Sequence, residues 1–400
     1  MSYRERILLF ILAAVQFTNI LDFVIMLPLG PQLMRILQIT PEQFSWVLSS
    51  YTFSAFCSSV LGTLWLDRFD RKNVLIFTYF FFLIGTIGCG IAPTYETLLA
   101  ARLFTGVFGG LMGAVAAAIV SDTFPVERRA TAMSIVMMSF SLASVLGIPF
   151  GLWLAKEWDW HAPFLAVAVM GAVNLLLILG QVPSVKGHLA NGYDPKTAIN
   201  LWKSLWQIPI RSLALACGWM LFFGQFMVIS FISPFLVRNV GFEEHQLAYI
   251  YMTGGAVTVV TSPIIGKLSD RYGKNIMYRY LALMSIVPFI IFTNLTPLAI
   301  PIVLVIVAFF FIFVNGRTIP AYTIISSVVP AKERGGYLSL YSSVSQLSSG
   351  LASLVAGKII QEEAVTKKII HFDWLGYFAV LFTLISVVMI HRLTRRLKEV

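Results

Sequence analysis

The chain has 400 residues; 58% of them are hydrophobic and 12% are charged, the mean hydropathy is +0.82 and the formal net charge is +10. Soluble proteins carry about twice that charged fraction, so the composition excludes a water-soluble fold and indicates a protein that lipid solvates. The basic residues lie mostly in loops between apolar runs, which indicates membrane orientation and not a nucleic-acid partner.

Apolar runs long enough to span a bilayer follow one another along the whole chain. A spanning helix needs about 20 mostly apolar residues, and about twelve runs meet that length. They lie near residues 7–30, 43–66, 74–92, 97–121, 130–154, 161–181, 210–236, 246–269, 277–295, 300–328, 335–358 and 372–391. A polar stretch rich in proline, glycine and lysine separates the sixth run from the seventh. We therefore predict a six-helix lobe over residues 1–181, a cytoplasmic linker over 182–208, and a second six-helix lobe over 209–400.

A short charged stretch that follows the second run recurs after the eighth. The segment 67–72, Asp-Arg-Phe-Asp-Arg-Lys, returns at 270–275 as Asp-Arg-Tyr-Gly-Lys-Asn, a shift of 203 residues. A second landmark, Pro125–Arg129, returns with nearly the same shift as Pro330–Arg334. Two landmarks with nearly one offset indicate a duplicated unit.

The loop charges also orient the chain. With the N-terminus inside, 21 of the 29 Lys and Arg residues fall on the cytoplasmic side and 6 on the opposite side. The other two, Arg102 and Arg317, fall within predicted spans. Lys and Arg concentrate in cytoplasmic loops of membrane proteins, so we expect both termini in the cytoplasm.

These patterns resemble the major facilitator superfamily, whose loop signature after spans two and eight is roughly G-x-L-x-D-R-x-G-R-K. Residues 266–274 fit that signature well, whereas the first copy has Thr63 and Asp70 where glycines are usual. The resemblance implies an all-α membrane protein of twelve transmembrane helices in two pseudo-symmetric six-helix lobes.

Three further segments resemble one branch of the superfamily in particular. Leu98-x-x-x-Arg102-x-x-x-Gly106 is similar to the arginine motif of span four, and Gly147-Ile-Pro149-Phe-Gly151 loosely resembles the antiporter signature. Residues 21–28 resemble span one of bacterial drug or sugar efflux permeases of the arabinose-efflux type. This likeness implies a bacterial inner-membrane antiporter.

Asp22 is the only carboxylate deep within a predicted span. At about 1.5 Å per residue it lies about 8 Å from the outer face, and Arg102 lies about as deep in span four. An ionisable group inside a membrane is costly and is therefore a candidate for function. Burial disfavours the charged acid and Arg102 favours it, so protonation can respond to conformation. We predict that Asp22 couples protons with Arg102 as its switchable partner; the alternative is a fixed structural ion pair.

Arg317 lies in the middle of span ten, and the second half has no acidic residue at a similar depth. We predict that it faces a central cavity, where it contacts an anionic substrate group or reaches Asp22 in one state. The structural alternative is snorkelling or pairing with backbone carbonyls. Other polar residues predicted to line the cavity are Gln16, Asn19, Gln225, Asn315 and Gln346.

The repeated charged loops predict an inner gate whose ion pairs hold the lobes together in one state. Orientation alone explains the lysines, but carboxylates contribute little to orientation. The positive ends of spans five and eleven can attract such carboxylates. The predicted gate residues are Asp67, Arg68, Arg71, Glu127, Arg128, Asp270, Arg271, Lys274, Glu333 and Arg334.

The sequence has no G-x-x-x-x-G-K-[ST] phosphate loop and no H-E-x-x-H motif, so we predict no ATP drive, metal, cofactor or enzymatic activity. The predicted function is proton-coupled efflux of a small amphipathic or sugar-like solute by alternating access, in a monomer. Its partners are then the solute, protons and the lipid bilayer. The alternatives are a lipid or lysolipid flippase, a proton-coupled importer, and a membrane sensor or enzyme without transport.

Overall fold

The computed structural model describes residues 2–62, 68–186, 189, 205, 207–330 and 333–399, without the side chains of residues 126, 127, 130, 335, 398 and 399. Helices dominate these residues, and the strands among them form a single two-stranded hairpin, β1 (Gln361–Glu362) with β2 (Ile369–Ile370). The prediction of an all-α membrane fold is therefore confirmed.

The helices of the first half are α1 (Tyr3–Val24), α2 (Met26–Ile36), α3 (Pro41–Gly62), α4 (Arg71–Gly90), α5 (Tyr95–Thr123), α6 (Val126–Leu142), α7 (Ile148–Glu157) and α8 (Ala162–Gln181). Those of the second half are α9 (Pro209–Ile229), α10 (Ile232–Phe235), α11 (Leu247–Tyr272), α12 (Lys274–Met284), α13 (Ile286–Thr293), α14 (Ile300–Gly316), α15 (Thr318–Ser326), α16 (Arg334–Ile359) and α17 (Phe372–Glu399).

Within the described chain, 10 helical segments are long and apolar enough to cross a membrane. The two other predicted spans correspond to α3 and α16, which have 22 and 26 residues but are rich in serine. Several of their hydroxyls bond to their own helices: Ser54 Oγ donates to the Ser50 carbonyl at 2.9 Å, and Ser349 Oγ to the Ser345 carbonyl at 2.8 Å. These segments remain helical in an apolar bundle because such serines find acceptors locally.

The segment that joins α6 to α7 is a π-helical turn of 5 residues, Ala143–Gly147, just before Pro149. Proline lacks an N–H donor and its ring crowds the carbonyl four residues earlier, so a wider turn accommodates it. The adjacent glycines allow close packing on α1. A Cβ on Gly147 would approach Leu21 to 2.8 Å, and one on Gly151 would approach Ile25 to 2.6 Å.

The contacts divide the chain into two compact units, one of Met1–Met26 and Ser50–Ala198, the other of Leu27–Ser49 and Ile199–Val400. The predicted first lobe included residues 27–49, whereas the structure groups them with the second half. Packing accounts for this difference. Phe44 meets Phe231 edge to face at 5.9 Å between ring centroids, and Ser49 Oγ donates to the Gly350 carbonyl at 2.7 Å. Most of the predicted linker, 182–208, lies outside the described residues.

Each unit buries a tyrosine whose hydroxyl finds a polar partner on another helix. In the first unit, Tyr79 shares a hydrogen bond of 2.9 Å with Thr18. In the second unit, Tyr278 shares one of 2.7 Å with Ser386. These bonds satisfy hydroxyls that would otherwise be costly inside an apolar core.

Candidate functional site

Asp22 and Arg102 form a fully buried ion pair in the first unit. Arg102 Nη1 lies 2.7 Å from Asp22 Oδ2, and both side chains are 0% exposed. The same nitrogen donates to the main-chain carbonyl of Asp22 at 3.2 Å. The acid comes from α1 and the arginine from α5, so the pair joins two helices that the sequence placed at matching depth.

A third helix contributes to the pair through Thr86 on α4. Its hydroxyl donates to Asp22 Oδ1 at 3.1 Å, so each carboxylate oxygen has one donor. Arg102 Nε and Nη2 have no hydrogen-bond partner among the described residues. The guanidinium therefore binds the acid through a single nitrogen, without the bidentate geometry that is strongest for this pair of groups.

Tyr51 on α3 connects this pair to Asn19. The Arg102 guanidinium carbon lies 4.6 Å from the centroid of the Tyr51 ring, at cation–π distance. The Tyr51 hydroxyl donates to Asn19 Oδ1 at 2.8 Å, and Asn19 Nδ2 donates to the Gly109 carbonyl at 3.3 Å. A Cβ on Gly109 would lie 2.2 Å from the Tyr51 hydroxyl, so a larger residue there would displace the Tyr51 side chain.

Of the other residues predicted to line a cavity, Gln16 is buried on α1 and Gln346 is half-buried on α16. In the second unit, Gln225 Nε2 donates to Asn315 Oδ1 at 2.8 Å, which joins α9 to α14. Gln225 Oε1 is buried and has no partner among the described residues. An amide with a free acceptor keeps capacity for one more hydrogen bond.

Arg317 lies inside the second unit and is 1% exposed. Its Nη1 donates to Thr383 Oγ1 at 2.6 Å and to Ser285 Oγ at 3.2 Å, and the Phe289 ring lies 5.3 Å from its guanidinium carbon. Its Nε and Nη2 have no partner among the described residues. In the described part of the chain, Arg317 therefore neither snorkels nor pairs with a backbone carbonyl. It is a buried cation held by hydroxyl dipoles.

The structure describes most of the residues that were predicted to form the inner gate. Arg71 is buried and its Nε lies 3.1 Å from Asp122 Oδ2 at the end of α5. Arg128 Nη1 lies 3.3 Å from Glu5 Oε2, also within the first unit. Arg68 is exposed. Asp67 and the side chain of Glu127 lie outside the described residues.

The second copy of the gate is more exposed. Glu333 pairs with Arg211 at 2.6 Å, and the Arg271 guanidinium lies 5.4 Å from the Tyr272 ring. Asp270, Lys274 and Arg334 are exposed. The loop charges that the sequence singled out thus include both paired and solvent-facing side chains.

Asp70 has a role that its sequence position did not reveal. Its carboxylate caps α4 by accepting the Lys72 N–H at 3.0 Å, and it accepts the Ser184 hydroxyl at 2.6 Å and the Val185 N–H at 2.9 Å. Burial alone would raise the pKa of this carboxyl, but these hydrogen bonds outweigh burial and hold the pKa below its usual value. Asp70 therefore ties the start of α4 to the chain that leaves α8.

Sequence reasoning did not identify Thr86, Tyr51 or Asp122. Thr86 is one hydroxyl within an apolar run, Tyr51 resembles any interfacial aromatic, and Asp122 lies near a helix end, where acids are common. Among the described residues no group of three or more His, Cys, Asp or Glu side chains could hold a metal ion.

A family model described as the Major Facilitator Superfamily matches residues 12–353 and, in a second match, residues 214–399. The chain belongs to the major facilitator superfamily. It is therefore a multi-pass membrane protein.

Bacterial proteins are among the relatives of this chain. It is 26% identical over 274 residues to the inner membrane transport protein YdhP of Escherichia coli (strain K12), with 65% of this chain and 66% of YdhP covered. It is 24% identical over 371 residues to the uncharacterized MFS-type transporter YceJ of Bacillus subtilis (strain 168), with 91% and 90% covered. The matched segments span 60% of YtbD of Bacillus subtilis (strain 168) and 66% of YdhP, somewhat less than two thirds of either relative.

Solved transporters share the fold. A D-xylose-proton symporter superposes with a TM-score of 0.76 at 16% identity, over 96% of this chain and 97% of the symporter. A bacterial homolog of the human lysosomal transporter Spinster, in an inward-facing and occupied conformation, superposes with a TM-score of 0.73 at 17% identity, over 99% and 98% of the chains. At sequence identities this low, the superpositions show that the chain has the same fold, but they do not indicate its substrate.

Proposed function

We propose that this transporter exports a small amphipathic or sugar-like solute in exchange for protons, with Asp22 as the group that carries the proton. The observation that supports this most is the buried, single-nitrogen ion pair between Asp22 and Arg102. Removing one partner of a buried pair costs about 3–5 kcal/mol, because a charge is left uncompensated. Whenever Arg102 moves away, protonation of Asp22 removes that cost, so proton binding and helix movement are coupled.

The surroundings of the pair support a switch better than a fixed bridge. Among the described residues, the acid accepts one bond on each oxygen and Arg102 keeps two donors without partners. A purely structural pair gains most when every donor is satisfied. The unsatisfied donors make the ionised Asp22–Arg102 pair less stable than a fully satisfied pair would be. The free-energy difference between this pair and the state with a protonated Asp22 is therefore smaller.

The polar amides support a solute with hydrogen-bonding groups. Asn19 and Gln225 each bind a residue on another helix, and Gln225 Oε1 is left free among the described residues. Together with Gln16, Asn315 and Gln346, we assign them to the solute pathway. Arg317 belongs to this pathway only if a conformational change exposes it.

The name of one relative supports export as the direction. The chain is 31% identical over 164 residues, 41% of its length, to a protein named Multidrug resistance protein 3 of Bacillus subtilis (strain 168), of which 32% is covered. The name of YdhP and the loop charges support the bacterial inner membrane with both termini in the cytoplasm.

The loop charges complete the proposal. We assign Asp67, Arg71 and Glu333, with the neighbouring charges of both loops, to an inner gate whose ion pairs change during the cycle. We also propose that a single chain is sufficient for transport, because each half supplies its own polar bridge between helices.

Proteoliposomes with an imposed pH gradient test the proposal. A panel of amphipathic dyes and sugars supplies the solute, and an entrapped pH dye reports proton movement. Asp22→Asn should abolish gradient-driven solute flux while the protein still inserts, and Glu42→Gln, an exposed acid at the start of α3, should transport normally. Unchanged gradient-driven flux in Asp22→Asn would refute the role of this acid. Flux of solute with the proton instead of against it would replace export by import and leave the coupling residue in place.

A further inference from the structure

A groove opens on the surface of the first unit, away from the Asp22 pair. It has a volume of about 640 Å³ and lies where α4 ends, α7 ends and α8 begins. Its lining includes Ile91, Leu154 and Val169 along its length and Asp159 and His161 at one end. It is thus an open, mostly apolar groove whose mouth, formed by Asp159 and His161, is polar.

The apolar part of the groove faces the lipid. Val169 on α8 is 66% exposed, which on a membrane helix indicates contact with acyl chains, and Ile91, just after the end of α4, is 64% exposed. Ala162 and Ala166 lie one turn apart on α8 and form part of the lining, so small side chains make room there. A Cβ on Gly90 would come within 2.7 Å of Leu165, which shows that α4 and α8 pack closely beside the groove.

The mouth of the groove holds a fixed carboxylate. Asp159 Oδ1 accepts the main-chain N–H of His161 at 2.9 Å, and Asp159 Oδ2 lies 3.1 Å from His161 Nδ1. His161 Nε2 lies 3.0 Å from the Ala92 carbonyl, and Trp160 stacks on the imidazole at 3.7 Å between centroids. These contacts orient the acid, yet its side chain remains 56% exposed.

Aromatic residues place this mouth at the boundary between lipid and water. Trp158 is 69% exposed and meets the half-exposed Trp153 edge to face at 6.0 Å. Tryptophan gathers at the head-group level of a bilayer, because its ring is apolar and its N–H is polar. A molecule in the groove would therefore have its polar end among lipid head groups and its apolar end among acyl chains.

We propose that the groove binds one phospholipid whose head group carries a primary ammonium, with an acyl chain along Leu154 and Val169 and the ammonium on Asp159. An ammonium group donates up to three hydrogen bonds, and a bond between ionised groups is about twice as strong as a neutral one. A lipid with an anionic head group and no amine meets repulsion from Asp159. A quaternary amine has no N–H to donate, so it cannot replace the primary ammonium.

Native mass spectrometry of the 400-residue chain in detergent tests this lipid site. The protein is titrated separately with phosphatidylethanolamine, phosphatidylcholine and phosphatidylglycerol of identical acyl chains. Phosphatidylethanolamine should bind about tenfold more tightly than the other two, the difference expected for one charge-assisted hydrogen bond. Equal affinities for the three lipids would overturn the proposal.

Two variants probe the two ends of the groove independently. Asp159→Asn should remove the preference for phosphatidylethanolamine. Ala166→Phe should fill the groove and lower the affinity for phosphatidylethanolamine about tenfold. The matched controls are Glu157→Gln, a neighbouring exposed acid that does not line the groove, and Leu176→Phe, a position on α8 that is 69% exposed outside it. If both groove variants bind phosphatidylethanolamine as the controls do, the groove is not a lipid site.

Discussion

Thr86 donates its hydroxyl to Asp22 Oδ1, the carboxylate oxygen that Arg102 does not bind. The two oxygens therefore differ chemically. A hydroxyl can turn and accept a hydrogen bond, whereas a guanidinium can only donate. A proton on Oδ1 is compatible with a bound Arg102, but a proton on Oδ2 expels it. In the proposed cycle, Thr86 thus marks the carboxylate oxygen that can take a proton while Arg102 is still bound.

Replacing Thr86 by valine tests this contact with little change of shape. A hydrogen bond to a charged group contributes about 1.5–3 kcal/mol, so Thr86→Val should lower thermal stability measurably in detergent. In the Asp22→Asn background the same change should cost about 1 kcal/mol less. Thr78→Val is the matched control, because Thr78 is buried on the same helix and bonds to its own backbone at Val74. An equal cost of Thr86→Val in both backgrounds would show that the hydroxyl does not support the carboxylate.

The Asp22–Arg102 pair makes a second prediction about stability. Arg102→Ala should destabilise the protein by up to about 3–5 kcal/mol, the full loss applying only while Asp22 stays ionised as an uncompensated buried charge. The double variant Asp22→Asn/Arg102→Ala should recover part of that loss, since the amide needs no counter-charge. Thermal unfolding monitored by size-exclusion chromatography measures both. A double variant that is less stable than Arg102→Ala would mean that the pair contributes through packing alone.

Much of the fold follows from run lengths, because each apolar run has to become a helix to satisfy its backbone in lipid. The same rule places residues by depth, which is why Asp22 and Arg102 could be paired before their helices were seen. Depth does not give the rotation of a helix about its axis. Thr86 and Tyr51 depend on that rotation, and sequence reasoning therefore missed them.

The amide side chains of Asn19, Gln225 and Asn315 show the same limit of prediction from sequence. Asn19 reaches Gly109 and Gln225 reaches Asn315, and the shifts 225 − 19 and 315 − 109 are both 206 residues. The duplication thus extends to a polar bridge between the first and fourth spans of each half. The sequence singled out three of these four residues as cavity-lining polar groups. It could not predict that they bond across helices, because such partners are set by packing and not by spacing along the chain.

Asp70 stands where the superfamily signature usually has glycine. Its three hydrogen bonds give the aspartate a structural role, because they join the start of α4 to the chain that follows α8. Because its pKa is lowered in the fold, the stability it contributes is present above the ordinary carboxyl range and is lost only as the pH falls below about 4. Asp70→Gly removes the three hydrogen bonds at neutral pH. Trypsin should then cleave after Lys186 several times faster than in the parent, while Glu42→Gln leaves cleavage unchanged. Equal cleavage of Asp70→Gly and the parent at pH 7 would mean that Ser184 and Val185 are held in place by other contacts.

Substitution of Arg317 should affect the thermal stability of the protein and its solute flux in different ways. Its charge is buried with two hydroxyl partners and, among the described residues, two donors without partners. Replacing a poorly compensated buried charge with an apolar side chain of similar length is often neutral or stabilising by about 1–4 kcal/mol. Arg317→Met should therefore keep or raise thermal stability. A cation retained at such a cost points to transport, so solute flux should fall at least about tenfold. Arg279→Met, an exposed arginine on α12, should change neither quantity. Full transport by a stable Arg317→Met variant would assign Arg317 to packing and remove it from the solute pathway.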